Sequence, residues 1–485
     1  MIRFVACLFF TTAFSQAQSS FETAIREVRQ IQTEAGMKTA SIGFCVIPLN
    51  AASENDARGF QADTGLIPAS TMKAVTTATA IDILGPEFRF KTMLQYIGTI
   101  DADGVLKGDV IVKGGGDPTL GSSQIVNTFA KWQAALAEAG IRKIDGRVIG
   151  DASIFGTKLL PDTWQWNDMG NYYGAGASGL TFHQNQFFCT FRTSSVGSEA
   201  TLIGTDPRLP GIEFFNEMRV GSAGSGDNGY IYGVPYGKVF YLRGTVPAGN
   251  SSFTIKGSLP DPAFFCARAF TKHLNQREFE VTGEPSTIRL LEAAGTQVSQ
   301  TRETILVQQS DSLASIMVLT NHKSVNLRAE CIHRMNGVEG RGNGTLDDAA
   351  KATEQHWAGK GIDMDGFFMA DGCGLSRSNT VTARQMALIL YHAAKSENFQ
   401  PFYDSLPVAG RSGTLRSIGQ GSLAEGRIQA KSGTLDRIKN YAGYVNAQSG
   451  QRYAFALYIN NYTCELWDVK AKIVRVWNKL VATSN

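Results

Sequence analysis

Along residues 21–36 the apolar side chains Phe21, Ala24, Ile25, Val28 and Ile31 recur at three- and four-residue steps, which predicts a helix with one buried face. Residues 39–50 (TASIGFCVIPLN) read as a strand. A polar loop leads to residues 68–84, which open on the helix-start residues Pro68 and Ser70 and stop at Gly85-Pro86. From about residue 92 the pattern changes to short strand-like runs, residues 93–100 and 108–112, punctuated by Gly, Asp and Pro. The glycine run 114–116 lacks both G-K-[ST] and G-x-G-x-x-G spacing, so it reads as a tight turn rather than a phosphate loop.

Residues 123–140 form one amphipathic helical pattern, and residues 144–260 return to strands and turns. Helical periodicity reappears at 312–319, breaks at Asn321-His322-Lys323, and resumes after Ser324 with Ile332 and Met335. Residues 370–377 read as a tight polar turn and 380–395 as a helix. Alternating runs at 441–446 and 453–460, separated by Gln448-Ser449-Gly450, predict a hairpin. The terminal stripe Leu466, Val469, Ile473, Trp477 and Leu480 fits core packing better than a membrane anchor.

Composition sets the class. The chain has 485 residues, 43% hydrophobic and 18% charged, which suits a globular protein larger than one ordinary domain. A net charge of +3 without any Lys/Arg run gives no basis for nucleic-acid binding. Residues 1–17 read as an export leader: Arg3 supplies the positive end, residues 4–14 a short apolar core, and Ser15-Gln16-Ala17 the small residues of a cleavage site. No segment is apolar enough to span a bilayer, so a periplasmic or cell-envelope location without an integral membrane segment is expected. The six remaining cysteines (Cys45, Cys189, Cys266, Cys331, Cys373, Cys464) lie far apart with no C-x-x-C, which argues against zinc while leaving one or two bridges open.

The chemistry begins at Ser70. Lys73 follows one helical turn later, in the chain's only S-x-x-K, so hydroxyl and amine share a face. A serine needs a neighbouring base to become a nucleophile, and a lysine amine serves once its pKa is lowered. Alone, S-x-x-K is no more than a capped helix. Ser324-Val325-Asn326 adds two polar side chains on a connector between helices. Its setting distinguishes it from the Ser-x-Asn tripeptides at Ser53 and Ser396. Lys431-Ser432-Gly433-Thr434, leading into the hairpin, completes the set. An echo at Arg411-Ser412-Gly413-Thr414-Leu415 lacks the lysine and is the weaker candidate.

S-x-x-K, S-x-N and K-[ST]-G in this order point to acyl transfer. Ser70 attacks a carbonyl with Lys73 as base. Ser324 relays a proton to the leaving amine, and Asn326 holds Lys73 and the substrate amide. Lys431 and Ser432 dock a carboxylate, while the backbone N–H groups of Ser70 and Thr434 form an oxyanion hole. A Ser-His-Asp triad is the competitor, but the six histidines have no G-x-S-x-G partner; of these, only His322 lies close in sequence to the cleft motifs.

These motifs, with GGGDPTLG at 114–121, GDASIFG at 150–156, the 164–168 stretch, SVNLRAE at 324–330 and DGCGLSR at 371–377, give a resemblance over nearly the whole chain. It resembles a penicillin-binding protein of the D-alanyl-D-alanine carboxypeptidase/endopeptidase family, peptidase family S13. The resemblance implies an α+β serine transpeptidase/β-lactamase-like domain, an antiparallel sheet with helices on both faces. Residues 18–95 and 275–485 would form it, with residues 96–274 as large nested β-rich insertions. It implies peptidoglycan peptide stems as substrates, β-lactams as covalent inhibitors, and no metal or cofactor. Carboxypeptidase and endopeptidase activity share one acyl-enzyme, so both stay open at this point, beside a β-lactamase or esterase on the same fold and a non-catalytic wall-binding scaffold. Two departures from the family pattern stand out. Ser432 replaces the frequent threonine, and Cys373 replaces the usual serine of the DGSGLS-like turn. If Cys373 borders the site, a bulky thiol reagent there slows acylation.

Overall fold

The computed structural model describes residues 21–122, 125–277 and 279–483; the leader expected at 1–17 lies outside the described residues. The first and last parts of the chain meet in one five-stranded antiparallel sheet. Its order is Arg58–Phe60, Ser41–Pro48, Arg452–Asn460, Ile438–Asn446, Ile428–Leu435. Side chains alternate between faces along a strand, so Phe44 and Val46 enter one core while Cys45 and Ile47 enter the other. The strand Arg452–Asn460 is buried from Tyr453 onward because both faces are covered, and its sequence is correspondingly apolar throughout.

The helix over residues 21–33 and the terminal helix Leu466–Val481 cover one face, Phe21, Ile25 and Val28 packing in a common core with Val469, Ile473 and Trp477. The other face carries Met72–Leu84, Asn326–Arg341 and Ala383–Ala393. Met72–Leu84 is buried from Met72 to Ile81. A helix enclosed on all sides must satisfy its own polar groups. Thr77 and Thr79 donate back to the carbonyls of Lys73 and Val75. An antiparallel sheet with helices on both faces is thus what the family resemblance implies and what the chain forms.

The intervening chain builds further sheets. A mixed sheet runs Ser286–Thr287, Val148–Asp151, Val110–Lys113, Lys91–Tyr96, Glu303–Gln309 and packs on Ile125–Glu138 and Pro262–Asn275. Beyond it, a three-stranded sheet centred on Gln186–Arg192 and a four-stranded sheet around Val239–Pro247 share a separate core containing Phe187, Phe240 and Leu242. The resemblance places the insertion at residues 96–274, and strands on either side of those bounds pair with each other. Lys91–Tyr96 and Glu303–Gln309 hydrogen-bond each other in this second sheet, with Met93 opposite Val307. Partners more than two hundred residues apart leave no mark on local periodicity.

Candidate active site

Ser70 lies in a short 3-10 turn, Ala69–Thr71, that runs into Met72–Leu84. Ala69 adopts a left-handed φ of 48°, a backbone state costing about 1–3 kcal/mol in a non-glycine residue and one that surrounding structure must hold. The holding contacts are visible. A Cβ on Gly433 would fall 2.6 Å from the Pro68 carbonyl oxygen, and one on Gly374 would fall 1.8 Å from that of Ala69. Two glycine-dependent close approaches therefore clamp the serine turn from the K-S-G strand on one side and the polar turn on the other.

Lys73, one turn on, is fully buried. Its ammonium nitrogen donates to Ser70 Oγ at 3.0 Å, Asn326 Oδ1 at 2.7 Å and the Cys373 carbonyl at 2.6 Å. Burial is the largest influence on its titration and pushes the amine below the usual lysine range, against the pull of Asp371 and Glu330. That is the direction a general base requires.

Ser324 and Asn326 flank the start of the helix Asn326–Arg341, after Leu313–His322 has ended. The break falls one to two residues later than the sequence pattern placed it, at Lys323 to Val325. Ser324 is left-handed at φ 57° and its hydroxyl accepts from Lys431 Nζ at 2.9 Å. Lys431, fully buried on Ile428–Leu435, also donates to the Ser432 carbonyl at 2.8 Å. Burial first, then the nearby Lys73 and Lys439 amines, drives Lys431 well below the usual lysine range. Two serine–lysine pairs, Ser70–Lys73 and Ser324–Lys431, thus line one cleft. Gly433 packs beneath Ser70, and Thr434 follows it at the exposed end of the strand. All eight residues read from the sequence, Ser70, Lys73, Ser324, Asn326, Lys431, Ser432, Gly433 and Thr434, lie around this cleft.

The echo segment has a place here too. Ser432 Oγ donates to Thr414 Oγ1 at 2.7 Å, so the motif set aside as a competitor supplies a hydroxyl beside the K-S-G strand. Lys439 donates to Thr434 Oγ1 at 2.6 Å, and burial lowers its pKa to about 7. The segment after residue 150 also reaches the site. The Tyr173 carbonyl accepts from Asn326 Nδ2 at 2.8 Å, and Trp164 Nε1 donates to Asp371 at 2.7 Å. Arg334, buried behind them, donates to the carbonyls of Phe155, Lys158, Leu159 and Gly344. No spacing rule identifies Tyr173, because it acts through its backbone.

The turn at 370–377 touches the site differently from the expectation. Cys373 presents its carbonyl to Lys73, while its side chain is fully buried against Leu159, Leu160, Trp164 and Ala329. Burial pushes the thiol well above its ordinary pKa, so a reactive thiolate is disfavoured. A thiol reagent acting at Cys373 to slow acylation is therefore excluded in the folded state. The expected result is that a bulky maleimide leaves Cys373 unmodified in the native chain and labels it after unfolding, as peptide mass mapping would read directly.

Among the described residues one group has metal-type ligand atoms close together, Glu330, Asp371 and Cys373, within 4.8 Å of one another. Its oxygens are already occupied: Glu330 accepts from Cys373 N, and Asp371 accepts from Gly374 N, Ser376 N, Asn379 Nδ2 and Trp164 Nε1. The histidines sit elsewhere. His322 turns to the Leu406 backbone, His333 is buried behind the turn, and His356 and His392 pair with Asp82 and Glu54. The cysteines of the described residues are all free, and none of the helices among these residues is long and apolar enough to cross a membrane.

Known proteins share this architecture. A D-alanyl-D-alanine carboxypeptidase of Actinomadura sp. (strain R39) is 30% identical over 466 residues, covering 93% of this chain and 84% of the relative. The crystal structure of penicillin binding protein 4 from Haemophilus influenzae superimposes with a TM-score of 0.76 at 23% identity, covering 91% of this chain and 95% of that one. The same protein complexed with a β-lactam superimposes with a TM-score of 0.70. The D-Ala-D-Ala carboxypeptidase 3 (S13) family matches residues 24–480, and the chain belongs to that family.

Proposed function

We propose that this chain is a serine D-alanyl-D-alanine carboxypeptidase/endopeptidase that cuts peptidoglycan peptide stems through a Ser70 acyl-enzyme and is acylated there by penicillins. The observation that carries the reading is the buried Lys73 nitrogen, within hydrogen-bond reach of both Ser70 Oγ and Asn326 Oδ1. In its free-amine form Lys73 takes the Ser70 proton as Oγ attacks the carbonyl preceding the terminal D-alanine or the cross-link. The backbone N–H groups of Ser70 and Thr434 receive the developing oxyanion, each donor worth roughly a hundred- to a thousand-fold in rate. Ser324, held by Lys431, passes a proton to the leaving amine. Water then hydrolyses the ester.

Lys431 sits where burial disfavours its charge, and a docked substrate carboxylate reverses that balance by pairing with the ammonium. Ser432 and Thr414 add hydroxyl groups beside it. Because peptidoglycan lies outside the cytoplasmic membrane, the activity requires an exported protein, consistent with the leader read at residues 1–17. Digestion of purified peptidoglycan tests the proposal. Released D-alanine marks carboxypeptidase action, and conversion of cross-linked dimers to monomers marks endopeptidase action. Unaltered muropeptides after incubation with folded protein would overturn it.

A further inference from the structure

We propose that Glu330 is a positioning residue for Lys73: it anchors the Cys373 peptide whose carbonyl holds the Lys73 nitrogen, and its charge sets how readily that nitrogen gives up its proton. The inference rests on the acyl-transfer reading of the site. Glu330 is 2% exposed and lies one helical turn beyond Asn326 on Asn326–Arg341. Its Oε1 accepts from Cys373 N at 2.6 Å, and the Cys373 thiol also hydrogen-bonds the carboxyl. The far side of the same residue accepts from Lys73 Nζ at 2.6 Å. A single relay thus runs from Glu330 through one residue to the amine beside Ser70 Oγ.

The relay is rigid. Gly372 approaches His333 so closely that a Cβ would fall 2.3 Å from the His333 Cβ, and its carbonyl accepts from Thr76 Oγ1 at 2.6 Å. Asp371 is fixed by its four donors, so the turn has little freedom to follow a displaced Glu330. The charged and titratable groups around Glu330 are Lys73 on the serine helix, Asp371 and Cys373 on the turn, and Arg334 on its own helix. Burial, aided by Asp371, pushes the Glu330 carboxyl up to about 7. In the same neighbourhood Glu330 favours the protonated form of Lys73.

The test is the pH dependence of penicillin acylation at Ser70 in wild type, Glu330→Gln and Glu330→Ala, each checked for folding by circular dichroism. Gln keeps an acceptor for Cys373 N and removes the negative charge. Where Glu330 is ionised, above about pH 7, losing that charge lowers the Lys73 pKa, so the acid limb of the rate profile there moves to lower pH. Glu330→Ala removes the acceptor as well, and acylation falls at least about tenfold, the scale of a lost hydrogen bond to a charged group. A Glu330→Gln profile that superimposes on the wild-type profile would overturn the inference even if Glu330→Ala does not fold. Wild-type protein that takes up no penicillin at Ser70 would instead remove the acyl-transfer reading, and this inference with it.

Discussion

Incubation with a penicillin yields a long-lived adduct of one acyl group per chain, visible by intact mass and mapping to the peptide that contains Ser70. The site explains why. A β-lactam joins a strained amide to a carboxylate. On the proposed reading the carboxylate docks at Lys431 and Ser432, while the amide carbonyl lies over Ser70 Oγ, which already bonds Lys73. The ring-opened leaving group stays tethered and shields the ester, so deacylation is slow. No E-x-x-L-N-like segment, the base segment of a β-lactamase, is evident in the sequence of residues 96–274. Ser70→Ala removes the hydroxyl bonded to Lys73 and abolishes both the adduct and D-alanine release, a loss on the order of 10⁶ when a serine nucleophile is deleted. An adduct on another residue, or D-alanine release that survives the substitution, would sink the mechanism. Rapid penicillin turnover without a trapped adduct would reassign the chain to β-lactamase chemistry.

Lys73→Ala gives the next largest loss, at least about a hundred-fold in acylation rate, the low end for removing a general base. The direction of the Lys73 shift makes a second, independent statement. Burial lowers its pKa, so the amine is already free at a pH where an ordinary lysine is charged. The acylation rate rises as pH increases through the Lys73 titration and is lost as pH falls below it. Lys431 works in the opposite sense, since it must carry charge to dock a carboxylate; further alkalinisation therefore weakens binding. The product is a bell-shaped profile whose acid limb disappears in Lys73→Ala. Stopped-flow acylation across pH reads both limbs. A variant that keeps the wild-type acid limb would assign the base to another group.

Much of this site is legible in the chain because its motifs are local. Ser70 and Lys73 lie one helical turn apart in sequence, and Lys431 stands just before a hairpin read from its alternation and its Gln448-Ser449-Gly450 turn. Ser324 and Asn326 are read from their position between two helices. The two-faced main sheet is expected from the family resemblance and not from periodicity: Arg452–Asn460 reads as an arm of an alternating hairpin, whereas it is buried from Tyr453 onward because both of its faces are covered. Strand pairing across the insertion is not legible. Lys91–Tyr96 belongs to the second sheet because Glu303–Gln309 pairs with it, and pairing at that separation has no local signature.

Groups that act through their backbone or through a buried relay stayed hidden for a related reason. The Tyr173 and Cys373 carbonyls contact Asn326 and Lys73, yet any residue type could provide a carbonyl. Thr414 lay in plain view within an echo motif, but its value depends on standing 2.7 Å from Ser432. Glu330 looks like an ordinary helical glutamate in sequence, and only burial beneath the Cys373 peptide gives it leverage on Lys73. By itself, then, the sequence determined which side chains are proposed to attack, accept a proton and dock a carboxylate, because periodicity and turn chemistry act over a few residues. The tertiary structure alone decided how those groups are charged and held, because desolvation and hydrogen bonding at Lys73 and Lys431 are set by segments hundreds of residues away.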